Sequence, residues 1–230
     1  MFKRIFSCLL LITSHIAISA EINDVQSWWN LTATGNFYKG TTKSHFKYWL
    51  EGQQRLGDHS SRSSQRILRP GLGYALNETT SLWLGSAWIY TGTPLTRAPF
   101  SERRIWQQLL WVKKYPQLSL TSRTRLEQRF VEGNPKTAWR IREMIKMVSP
   151  FRSKPQFSMV GSEEVFWNQN NFVGQRNQGF DQNRFFMGIG YKINGALTTE
   201  IGYLNQYIHR RGAPNFLSNN ISTTLLCNFS

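Results

Sequence analysis

The sequence predicts an all-β protein: an antiparallel transmembrane β-barrel of about 12 strands, with about 10 as the lower alternative, around a polar, arginine-rich lumen. Three observations carry this prediction. The N-terminus reads as an export signal, and no later run approaches the length of a membrane helix. The remainder divides into long segments in which apolar and polar residues alternate. One of these, "LSLTSRTRLEQRFV" at 118–131, sets Arg123, Arg125, Glu127 and Arg129 on every second position and Leu118, Leu120, Leu126 and Phe130 in the other register. A basic ladder backed by apolar residues suits a wall between a wet lumen and lipid.

Residues 1–20, "MFKRIFSCLLLITSHIAISA", begin with Lys3 and Arg4, continue through the apolar stretch Ile5–Ile12, and end in the small residues of "AISA". This is the layout of a secretory signal peptide cleaved after Ala20, and it leaves a single barrel domain over 21–230. The chain carries 28 Lys and Arg against 13 Asp and Glu, a net charge of +15. Loss of Lys3 and Arg4 with the signal lowers that to +13. Such a balance attracts anions such as lipid headgroups or lipopolysaccharide phosphates. Export argues against cellular nucleic acid as a partner. Cys8 departs with the signal, so Cys227 stands alone, with no disulfide and no cysteine-based metal site. Without a run of roughly 18 apolar residues beyond the signal, the chain can enter a membrane only as a closed barrel, because lipid cannot satisfy an open sheet edge.

The expected strands, in order, are 26–38, 42–56, 65–77, 80–91, 102–113, 117–130, 137–149, 156–169, 180–193, 196–208 and 217–229. Each exceeds the ~5–6 residues of an ordinary globular strand and suffices for the ~9–11 that a tilted membrane strand needs within lipid. Over 42–56, Phe46, Tyr48, Leu50 and Leu56 oppose Lys47, Glu51, Gln53 and Arg55. Over 180–193, Phe185, Met187, Ile189, Tyr191 and Ile193 oppose Gln182, Arg184, Gly188, Gly190 and Lys192. The last segment sets Ile221, Leu225, Cys227 and Phe229 against Asn220, Ser222, Thr224 and Asn228. The segment 137–149 also fits helical spacing at Ala138, Ile141, Ile145 and Val148; the alternation of Arg140 and Arg142 with Trp139 and Ile141 makes it a strand. These ranges number eleven, whereas bacterial single-chain barrels have even counts, so either residues 21–26 supply a further, poorly marked strand or one of the ranges is split or merged, with 12 strands expected and 10 the alternative.

The connections also alternate. "YKGT", "NETT", "KKYPQ" and "NG" are tight, while those around 57–64, 91–101, 131–136, 170–179 and 209–216 are longer, as barrels with short periplasmic turns and long outer loops require. Trp28, Trp29, Trp49, Trp83, Trp88, Tyr90, Trp106, Trp111, Trp139 and Trp167 are expected to form interface girdles. The glycines of "GLGYAL" at 71–76 lie inside a strand, where they make room for aromatic neighbours.

Several segments resemble an uncharacterised bacterial family, domain of unknown function 2490. They are "WNLT" at 29–32, "RPGLGYAL" at 69–76, "LWLGSAWIY" at 82–90, "ERRIWQQL" at 102–109, "SRTRLEQRF" at 122–130, "FDQNRFFMGIGYKI" at 180–193 and "EIGYLNQY" at 200–207. The likeness covers nearly the whole chain beyond the signal. It implies a barrel of the outer membrane and carries no activity with it.

The expected lumen charge network comprises Glu51, Arg55, Arg104, Arg123, Arg125, Glu127, Arg129, Arg140, Arg142, Glu164, Arg184 and Glu200. Arginines in so narrow an interior need carboxylates, since an unpaired buried charge is costly. Three functional readings follow. The first is passage or binding of a small anionic solute, because inward arginines outnumber inward acids. The second is a structural envelope barrel with a plugged lumen. The third, a lipid-modifying enzyme, rests on the three histidines beyond the signal. Ser44–His45 sits at a strand base with the two side chains on opposite faces, His59–Ser60 in a loop, and His209 beside Arg210 and Arg211, so none has an evident nucleophile to activate. No cofactor or metal is expected. The loop cations Arg62, Arg97, Arg176, Arg210 and Arg211 are candidate contacts for outer-membrane lipid and lipopolysaccharide.

Overall fold

A computed structural model describes residues 21–39, 42–171 and 177–229; residues 1–20, where the signal peptide is expected, lie outside the described residues. Eleven strands alternate direction around a closed barrel: β1 Glu21–Lys39, β2 Thr42–Gly57, β3 Arg62–Ala75, β4 Thr80–Thr91, β5 Phe100–Tyr115, β6 Leu118–Val131, β7 Ala138–Phe151, β8 Lys154–Asn168, β9 Gly179–Lys192, β10 Leu197–Ile208 and β11 Asn215–Phe229. The segment 137–149, with its competing helical spacing, lies in β7, where the alternation of arginine with Trp139 and Ile141 prevails. Residues 21–26 form no twelfth strand: they are the first turns of pleat in a β1 of 19 residues. The count therefore falls between the two even numbers expected. An odd meander brings its last strand round in the same direction as its first, so β1 and β11 close the barrel as a parallel pair, from Glu21↔Asn215 to Gly35↔Phe229. The other ten pairings are antiparallel.

The connections 58–61, 92–99, 132–137, 169–178 and 209–214 gather at one end, the loop end; 76–79, 116–117, 152–153 and 193–196 gather at the other, the turn end. Residues 172–176 of the fourth loop lie outside the described residues.

Because side chains alternate across a strand, each strand gives one face to the lumen and one to the outside. Outward positions carry Leu31, Leu50, Leu68, Leu84, Ile105, Ile145, Met187 and Ile201, with Leu72 and Ile221 each 62% exposed. Glu143 and Glu163 break this apolar band: Ser122 and Thr124 hydroxyls donate to Glu143 at 2.9 and 2.5 Å, and the Asn183 amide donates to Glu163 at 3.1 Å.

The tryptophans do not all belong to girdles. Trp29, Trp88, Trp139 and Trp167 are exposed on the outer face, whereas Trp28, Trp83 and Trp106 are buried and Trp49 packs inward against Trp83. Their strand parity explains the correction: Trp28 shares a face with Asp24 and Gln26, Trp49 with Glu51, and Trp106 with Arg104 and Gln108. Glycines make the space. A Cβ at Gly71 would lie 2.5 Å from the Trp106 ring, and one at Gly73 would lie 2.5 Å from the Trp83 ring.

Two features fasten the loop end. Asp58, His59 and Ser60 hold positive φ of 54°, 55° and 65°, an arrangement non-glycine residues rarely adopt. The Asp24 carboxylate accepts from the Asp58 and His59 amides at 3.0 Å each, from the Val25 amide at 2.9 Å and from Gln26 Nε2 at 2.7 Å. The loop 92–99 turns inward, so that a Cβ at Gly57 would meet Pro94 Cδ at 2.6 Å. Arg210 Nη2 donates to the Leu95 carbonyl at 3.0 Å from the far side of the mouth.

Candidate functional site

The ladder of β6 forms the spine of the lumen. Glu127, fully buried, stands directly opposite Arg140 on β7 and one pleat diagonally from Arg104 and Arg142, within reach of long side chains. Its carboxylate receives Arg140 Nη2 at 2.7 Å, Arg142 Nη1 at 2.7 Å and Arg104 Nη1 at 3.2 Å. Glu102 takes two guanidinium forks at once: Arg104 through Nε and Nη2 at 2.5 and 3.0 Å, and Arg129 through the same atoms at 2.7 and 3.0 Å. Such bidentate charge-assisted bonds fix geometry as well as charge. Glu164 joins Arg123 at 2.6 Å and Arg142 at 2.8 Å, with Arg184 farther off at 3.9 Å. Glu51 faces Arg69 across β2 and β3 and bonds to it at 2.5 Å. Glu200 stands apart from these on β10, toward the turn end, where both its oxygens accept from Lys146 Nζ at 2.7 Å.

Three arginines are held differently. Arg55 donates to Gln65 and Gln53 at 2.6 Å each and lies 3.8 Å over the Trp28 ring. Arg125 donates twice to Gln108 Oε1, at 2.9 and 2.5 Å, and sits between Trp106 at 4.7 Å and Trp49 at 5.9 Å. Arg184, besides its long contact to Glu164, lies over Trp28 and Phe166 at 5.1 and 4.6 Å. Aromatic faces thus carry guanidinium charge where carboxylates run short.

All twelve residues singled out from the sequence lie on the inner face, and most meet in one network. Four members were missed: Arg69, Glu102, Lys146 and Asp181, the last accepting from Arg140 Nη1 at 3.0 Å. Glu102 shares parity with Arg104, and Lys146 with Arg140 and Arg142, so the alternation that located the ladder also marks them. Counted together, Arg55, Arg69, Arg104, Arg123, Arg125, Arg129, Arg140, Arg142, Arg184 and Lys146 make ten cations; Glu51, Glu102, Glu127, Glu164, Asp181 and Glu200 make six carboxylates.

The described histidines are scattered around the rims. His45 Nδ1 bonds the Ala75 carbonyl at 3.2 Å, His59 belongs to the Asp24 turn, and His209 rests against Phe180. Of the loop cations, Arg62 pairs with Asp58 at 3.2 Å, while Arg97 and Arg211 are exposed. Arg210 is drawn inward over Phe216 at 5.1 Å, where burial lowers its pKa below the ordinary arginine value. Arg176 lies outside the described residues. Among the described residues, no group of three or more His, Cys, Asp or Glu is placed to hold a metal ion.

The sequence folded into this barrel matches the family described as "Protein of unknown function (DUF2490)" over residues 25–216. The chain belongs to that family. A protein of similar sequence is an uncharacterized protein of Methylorubrum extorquens, 31% identical over 207 residues that cover 89% of this chain and 88% of the relative. No solved structure matches the chain.

Proposed function

We propose that this DUF2490 protein is an outer-membrane barrel of a Gram-negative bacterium whose lumen is closed, so that it serves the envelope as a non-conducting barrel. The carrying observation is the burial of the inward side chains in the loop-end half: Arg125 and Glu127 are each 0% exposed, and Glu102, Arg104, Arg140 and Arg142 are nearly so. A water-filled channel would leave such groups wet. The inturned loop 92–99 and its tie to Arg210 close the same end. Membrane residence is supported by the apolar outer band, far larger than soluble monomers leave uncovered, and by strands of 12 to 19 residues. The signal-like layout of residues 1–20 supports export. The long loops then face outward, with Arg97 and Arg211 available to lipopolysaccharide phosphates, and the turn end faces the periplasm.

The surplus of cations over carboxylates favours a second reading, in which a small anion passes through the lumen. Membrane fractionation with a heat-modifiability gel comes first: the unboiled protein should migrate apart from its boiled form and fractionate with the outer membrane. In planar bilayers the folded protein should then be silent. Anion-selective conductance steps from the unmodified protein would replace the closed-barrel reading with the pore.

A further inference from the structure

The turn end of the barrel carries charge of nearly one sign. Lys113 and Lys114 lie at the end of β5, Arg152 in the turn 152–153, Lys154 at the start of β8 and Lys192 at the end of β9, all exposed. They form one patch rather than five separate charges. Gln117, in the turn 116–117, accepts from Ser149 Oγ through its backbone carbonyl at 3.1 Å and from Arg152 Nη2 through its side chain at 3.0 Å, which joins the first two turns. Phe157 and Tyr191, register partners with ring centroids 4.8 Å apart, join the strands that carry Lys154 and Lys192. Among the described residues none of the five cations has an ion-pair partner, and Glu78 is the one carboxylate on this rim. The loop end is mixed by contrast: Arg62 pairs with Asp58, and Glu21 and Glu132 are exposed there.

Aromatic residues set the level at which these charges stand. Tyr115, Phe151 and Tyr191 are exposed, and each is the chain neighbour of a cation: Lys114, Arg152 and Lys192. Lys113 Nζ also lies 5.3 Å over the Tyr115 ring. Aromatic belts sit at headgroup depth, so the five cations stand where lipid phosphates lie. We infer that the turn rim between β5 and β9 is a docking surface for anionic phospholipid headgroups of the phosphatidylglycerol class, in the leaflet that meets the turns. A zwitterionic headgroup brings its own cation, which the rim repels; an anionic one brings phosphate alone, and each Lys or Arg at the surface adds to its attraction. Four of the five cations are lysines, whose flexible point charges suit a shifting set of phosphates rather than one fixed bidentate partner. The inference rests on the membrane reading of the barrel and adds which lipid its turn end selects.

The test places the full mature chain in vesicles of equal parts phosphatidylglycerol and phosphatidylcholine with matched acyl chains, verified by heat-dependent gel mobility. After extraction in mild detergent, retained lipids are counted by native mass spectrometry. Phosphatidylglycerol should be retained about fivefold over phosphatidylcholine. The combined changes Lys113→Gln, Lys114→Gln, Arg152→Gln and Lys154→Gln should bring that ratio to about one, while Arg97→Gln with Arg211→Gln at the loop end should leave it unchanged. Lys113→Gln with Lys114→Gln alone should lower the preference by about half, which tests the rim even where the fourfold variant does not fold. A shifted, folded barrel that retains the two lipids equally overturns the lipid surface and leaves the membrane reading standing. So does a preference that survives the rim changes or is lost with the loop changes. Equal retention together with rim-dependent binding of soluble polyglutamate would assign the rim to an anionic polymer instead. A protein that shows no mobility shift overturns both readings.

Discussion

Arg142 and Arg125 face each other across β7 and β6, yet the barrel holds them by different means. Arg142, on the Glu127 side, shares two carboxylates, Glu127 and Glu164, with four other arginines. Arg125 has an amide oxygen and two indole rings. The first arrangement is a lattice in which each acid serves several cations, and losing one acid strands all of them. The second is a cage, in which the charge is spread against aromatic faces and the loss of the cation strands little. The lumen is therefore brittle around Glu127 and forgiving around Arg125.

Substitutions should expose this contrast. Glu127→Leu removes the common partner of Arg104, Arg140 and Arg142. It should destabilise the folded barrel by about 3–5 kcal/mol, the usual cost of breaking a buried ionic network from one side, read from urea unfolding by tryptophan fluorescence in micelles. Trp106→Ala dismantles the cage from the aromatic side. It empties the space over Gly71 and Gly85 and uncovers Arg125, with an expected loss of about 3 kcal/mol in the same assay; Gly71→Ala, which forces a Cβ into that ring, should also destabilise. Asp24→Ala lies outside both regions and calibrates them. It deprives two amides of the left-handed turn of their acceptor and should lower stability by about 2 kcal/mol, with faster protease cleavage at 58–61. Arg125→Met should have the smallest effect, under about 1 kcal/mol, because no carboxylate is abandoned. Should it cost as much as Glu127→Leu, the distinction between lattice and cage fails.

Alternation made the wall legible. On β6 the charged residues are consecutive odd positions, so a single strand announces its inner face. The same rule places Trp28, Trp49, Trp83 and Trp106 inside, but tryptophan is equally at home at a membrane interface, and residue type obscured what position states. Partner choice was less accessible. Glu127 meets Arg140 through neighbouring strands, whereas Lys146 and Glu200 are 54 residues apart and meet only because the barrel curves β7 toward β10. Arg69 read as part of a glycine-rich motif until the register set it against Glu51. Strand number was obscured because residues 21–26 carry little alternation of their own, while in the structure they open β1 and Asp24 anchors a turn.

The parallel seam between β1 and β11 has a consequence for the chain's two ends. Glu21 pairs at one extreme of the seam and Phe229 at the other, so they emerge at opposite rims, roughly 45 Å apart at ~3.3 Å per residue. In a membrane this places an epitope ahead of Glu21 and one behind Phe229 on different sides of the bilayer. No short peptide could splice them into a ring, so a circularly permuted version would need a linker long enough to run the full height of the barrel.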